Sequence, residues 1–163
     1  MSQMLVSTAV QRIKSATHDI SDEYSDERCI EFLNNAIQQA ASLLITAKYP
    51  PLVREMTVHD GDTVPDNYMT ACGSYPIRVT GNIMRIIDSD YETVRFRYFA
   101  TPNDLTTEST YLPFNHDGIN ETIVRAAIIL AQNENEYDVT QDLALINSLQ
   151  QAIAGALSPT LVE

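Results

Sequence analysis

Apolar positions near the start of the chain recur every three or four residues: Leu5, Val6, Ala9, Val10, Ile13 and Ala16. That spacing places them on one stripe and predicts a helix over about 2–16, with Arg12 and Lys14 off the stripe. An acidic connector follows over 19–26. The next stripe is longer, with Ile30, Leu33, Ile37, Ala40, Ala41 and Leu44 on one side and Glu31, Asn34, Asn35, Gln38, Gln39 and Ser42 on the other. It predicts a helix over 26–47, with Ser25 as N-cap and Asp26 and Glu27 in the first turn, where the helix dipole favours anions. Pro50-Pro51 stops it, because proline lacks the amide donor and restricts the residue before it.

The period then shortens. Leu52 to Val58 reads as a weak strand ended by Asp60-Gly61-Asp62, and Pro65-Asp66-Asn67 and Cys72-Gly73-Ser74 read as turns. Ile77-Arg78-Val79 and the run from Ile83 to Ile87 flank Thr80-Gly81-Asn82, a hairpin pattern. Val94, Phe96 and Tyr98 alternate with Arg95 and Arg97, the period of a half-buried strand, and Thr101-Pro102-Asn103-Asp104 ends it. Helical spacing returns at 117–132 through Ile119, Ile123, Ala126, Ala127 and Leu130. A last helix is expected over 138–157, opened by the capping-box spacing of Asp138-Val139-Thr140-Gln141 and carried by Val139, Leu143, Ile146, Leu149, Ile153 and Leu157. Pro159 closes it ahead of a short tail, 158–163.

The expected fold class is therefore α+β: mainly a bundle of about four helices with a small antiparallel β-structure inserted centrally, over 52–113, in a single domain spanning 1–163. A chain of 163 residues is long enough for one sizeable core without a metal or disulfide. No stretch approaches the roughly 20 apolar residues of a membrane span. The N-terminus shows neither the basic nor the apolar region of a signal peptide, so cytoplasmic synthesis is expected.

Charge narrows the function classes. Ten basic residues stand against 22 acidic ones, a formal net charge of −12. A protein that grips nucleic acid by its phosphates normally carries the opposite sign. The two cysteines, Cys29 and Cys72, have no partner at metal-ligand spacing and read as free thiols. His18, His59 and His116 likewise lack a second ligand at the short spacings of a zinc site. His59-Asp60-Gly61-Asp62 lacks the later acidic positions of a calcium loop and reads as a polar turn. Glycines 61, 73, 81, 118 and 155 are scattered, so no phosphate-binding loop forms, and no nucleophile elbow occurs. The expectation is a protein without catalytic, metal or cofactor sites.

One departure from the acidic background stands out. Arg78, Arg85, Arg95 and Arg97 fall within about 20 residues and outnumber the local carboxylates Asp88, Asp90 and Glu92. A solvated strand face explains them, as does an arginine-bearing edge that pairs with acidic surface on a neighbouring copy. The second reading suits head-to-tail contacts, where two different faces of one subunit meet.

The order of elements resembles the head–tail connector (adaptor) proteins of tailed bacteriophages. The likeness is carried by Val94-Arg95-Phe96-Arg97-Tyr98-Phe99-Ala100-Thr101-Pro102, then Leu105 and Tyr111-Leu112-Pro113 before a helix, and by Asp26-Glu27 leading to Phe32-Leu33-Asn34-Asn35-Ala36. The resemblance spans roughly residues 6–157. It implies a structural virion protein at the head–tail junction, in a homo-oligomeric ring of about twelve copies between portal and tail. Such a ring extends the channel for passing genomic DNA without binding it specifically, touches no membrane, and docks tail or nozzle proteins. The resemblance implies that the last helix and the C-terminal Ser158, Pro159, Thr160, Leu161, Val162 and Glu163 reach toward the portal, while the charge pattern makes the four arginines the candidate subunit contacts. Two other readings remain: a different neck or tail ring, such as a stopper or tail-completion protein, and a small carboxylate-dependent metal enzyme.

Overall fold

The computed structural model describes residues 3–17 and 25–132, with the single helical positions Ala144, Asn147 and Gln151. The chain forms two compact units: Lys48–Pro102 is one, and Met1–Ala47 together with Asn103–Glu163 is the other.

The flanking unit holds α1 (Val6–Ala16), α2 (Asp26–Thr46) and α3 (Asp117–Gln132). Ser25 caps α2, its hydroxyl accepting the Arg28 amide at 3.2 Å, ahead of Asp26 and Glu27. The α2 stripe is buried as its spacing requires, and Cys29, Phe32 and Ala36 widen it. Ile13 from α1, Phe32, Leu33, Ile37 and Leu44 from α2, and Ile119, Ile123 and Leu130 from α3 are fully buried and form the core. At the start of α3, His116 Nδ1 accepts the Ile119 amide at 3.3 Å, and Asn120 Nδ2 donates to the Phe114 carbonyl at 2.9 Å. Arg12 on α1 grips Glu121 on α3 through two bonds of 2.6 and 2.8 Å.

The Lys48–Pro102 unit holds β1 (Val53–His59), β2 (Tyr68–Ala71), β3 (Ile77–Thr80), β4 (Ile83–Ile86) and β5 (Thr93–Ala100). One antiparallel sheet has the order β1-β5-β2, and β3 and β4 form a separate antiparallel hairpin. Gly81 opens the two-residue loop of that hairpin at φ +62°, the left-handed backbone that glycine adopts without steric cost. Strand alternation sends Val58 of β1 and Phe96, Tyr98 and Ala100 of β5 to one side, where they meet Met84 of β4 in a buried cluster. Tyr75 packs edge-on against Phe96 at 5.0 Å, and Tyr68 stacks on it at 5.9 Å.

This architecture corrects the expected one. Instead of a four-helix bundle with a small central insert, the described residues form three helices and five strands in two antiparallel sheets, and the strands have their own aromatic core. The expected insertion at 52–113 is also too long. Residues 103–113 belong with the helices, because Asn34 on α2 clamps the Leu105 backbone, accepting its amide at 2.7 Å and donating to its carbonyl at 3.0 Å. The first helix starts at Val6, since Leu5 bridges Tyr111, the Val6 amide bonds the Thr110 carbonyl and the Leu112 amide bonds the Met4 carbonyl. These extended pairings take the backbone groups that an earlier helical turn would need. The fourth helix expected over 138–157 lies outside the described residues except at positions 144, 147 and 151, as does most of the acidic connector at 19–26.

Candidate interaction surface

The four arginines all sit in the Lys48–Pro102 unit, in two groups on different sheets. Arg95 and Arg97 lie on β5, facing away from the cluster that Phe96 and Tyr98 enter. Arg95 is highly exposed and pairs with Glu55 across the β1–β5 ladder, Nη2 to Oε1 at 2.8 Å. The Arg97 backbone is tied down, its carbonyl accepting the Cys72 amide at 2.9 Å and its amide donating to the Tyr75 hydroxyl at 3.3 Å. Its guanidinium makes no ion pair among the described residues. Beside it, burial pushes the Cys72 thiol pKa up and the charge of Arg97 pulls it down, with burial the larger effect.

Arg78 and Arg85 stand directly opposite each other on the hairpin, on the side away from Met84. Like charges in register destabilise a strand pair. Asp60 relieves part of that cost: its carboxylate lies 3.5 Å from Arg85 and also accepts the Ile86 amide at 2.9 Å. Arg78 has no ion pair among the described residues. Ile83 and Ile87 flank the arginines on the same side and are 38% and 59% exposed. A surface joining an unneutralised guanidinium to exposed isoleucines is suited to meeting a partner that is acidic and partly apolar.

The two units differ in charge. Lys48–Pro102 holds six basic and seven acidic residues, a net of −1, and the rest of the chain holds four and fifteen, a net of −11. Sequence reasoning singled out the arginines but missed Ile83, Ile87 and Asp60, whose roles depend on strand register. The tail residues Ser158, Pro159, Thr160, Leu161, Val162 and Glu163 lie outside the described residues.

An open groove of about 670 Å³ lies beside α1, where Ser7, Gln11 and Ser15 line it with Arg12 and Ile128. Arg12 is its charged residue, and that guanidinium is already engaged with Glu121. Among the described residues no three histidine, cysteine or acidic side chains gather as metal ligands, and no helix is long and apolar enough to cross a membrane. No protein-family model matches the chain, and no curated protein matches its sequence.

Proposed function

We propose that this chain is a structural ring subunit at the head–tail junction of a tailed bacteriophage. It extends the DNA channel between portal and tail and gives tail or nozzle proteins a docking surface. The observation that supports this reading most is the charge division: a helical unit of net −11 joined to a near-neutral strand unit whose exposed surface bears Arg78 and Arg97, neither in an ion pair among the described residues. Head-to-tail rings need two different, complementary faces on each subunit, and opposite charge on those faces favours closure over random association.

The test is assembly of the full chain. Sedimentation and negative-stain imaging, alone and with the cognate portal protein, should give closed rings of about twelve copies with a central channel. Assembly should weaken as salt rises, because contacts between exposed charges are screened. A chain that stays monomeric both alone and with portal sinks the proposal.

A further inference from the structure

We propose that the free edge of β3 is a strand-addition site for an extended protein segment that alternates apolar and acidic side chains. The two edges of the hairpin differ. On β4, the Met84 carbonyl accepts the Gly61 amide at 2.9 Å, the Met84 amide donates to Asp62 at 2.8 Å, and the Val64 amide bonds the Asn82 carbonyl at 2.9 Å, so the chain covers its own edge. On β3, the bond from the Ile87 amide to the Pro76 carbonyl sets the alternation. Pro76, Arg78 and Thr80 face β4, so the amides and carbonyls of Ile77 and Val79 point outward. No described group bonds them.

A short edge bearing an arginine is also how sheets discourage self-pairing. What distinguishes β3 is the ground beside it. Ile77 and Val79 share the Met84 side and line a cleft of about 270 Å³ with Tyr68, Tyr75 and Phe96. Val79 is 44% exposed at its rim. On the opposite side stands Arg78, without an ion pair among the described residues and backed by Arg85. A strand laid along β3 would place alternate side chains over the aromatic cleft and the intervening ones next to Arg78. Apolar residues suit the first set and carboxylates the second. This inference does not rest on the ring reading.

The experiment uses the full chain and a short peptide alternating valine with glutamate, with a lysine-for-glutamate twin and a backbone N-methylated version as controls. Binding is read by fluorescence anisotropy and by hydrogen exchange. The Ile77 and Val79 amides should exchange freely in the protein alone and become protected at saturating peptide. The glutamate peptide should bind about threefold or more tighter than its lysine twin, and the N-methylated peptide should not bind. Val79→Pro removes an outward donor at an edge position where proline is tolerated, and should abolish binding while the circular dichroism spectrum is unchanged. Arg78→Glu should reverse the preference between the two peptides, which keeps the test decisive if Val79→Pro fails to fold. Absence of binding, binding without protection of those two amides, or unchanged affinity in a folded Val79→Pro variant would each overturn the proposal.

Discussion

At the scale of single residues, the helical unit is fastened by polar side chains at places where helical spacing marks only a solvent face. Asn34 falls on the polar side of the α2 stripe, yet its amide imitates a strand neighbour for Leu105 and so fixes the segment leading into α3. The pair of Arg12 and Glu121 does similar work between α1 and α3. The hydrogen bonds from Arg12, with its charge and that of Arg125, hold the Glu121 carboxyl below its usual pKa, against an opposing effect of burial. A carboxyl with a lowered folded pKa binds fewer protons than in the unfolded chain. Its contribution is therefore complete above the unfolded value and is lost as pH falls through the folded one. Both side chains are over a third exposed, so the screened contribution is about 1 kcal/mol or less. Glu121→Gln should lower stability by that amount at neutral pH and remove this part of the acid dependence, as read by urea titrations at neutral and acidic pH. Parallel loss of stability in both proteins down the acid range would show that the pair is idle.

At the scale of elements, α2 shows how an end is made. Its C-cap is Ala47, and Lys48 follows at φ 60°, the left-handed position that usually holds glycine, before Tyr49 and Pro50-Pro51. A lysine there costs roughly 1–2 kcal/mol relative to its relaxed backbone. Lys48→Gly should relieve that strain and stabilise the chain by about 0.5–1 kcal/mol after the extra chain entropy of glycine is deducted. A thermal melt would show a higher midpoint, and a lower one would mean that the lysine side chain makes a contact worth more than the strain. The proline stop, the Ser25 cap, the α2 stripe, the Gly81 hairpin and the β5 alternation were all legible in the sequence, because each rests on neighbours a few residues apart. What was not legible depends on distant pairing. β2, at Tyr68–Ala71, sits between two stretches read only as turns, and it is a strand because β5 offers it a ladder. The same holds for the extended start at Met4 and Leu5, and for a strand core large enough to stand as its own unit. For the candidate surface, sequence supplied the arginines, while register decided that Arg78 and Arg85 meet and that Arg95 is neutralised by Glu55.

At the scale of the whole molecule, the two units pose opposite answers to one question: what DNA would do near this protein. The four sheet arginines are the densest basic group in the sequence, and two of the four are already spent, Arg85 near Asp60 and Arg95 on Glu55. Even with all four engaged, counterion release would give a salt slope of only about −3.6 on a double-logarithmic plot. Against this stands a net charge of −12, of which −11 belongs to the helical unit. At physiological ionic strength the Debye length is about 8 Å, so repulsion acts only near the surface. At low salt it reaches about 30 Å, and all the acidic residues oppose an approaching duplex. Lowering the salt therefore strengthens repulsion faster than it strengthens a few arginine contacts. The isolated protein should show no measurable affinity for double-stranded DNA at physiological salt, and low salt should not rescue it. An anisotropy titration with a labelled duplex at two salt concentrations decides the matter. Binding that is tight at low salt and weakens as salt is added would mean that the arginine surface governs, and would overturn the proposed passive channel wall in favour of a protein that handles DNA directly.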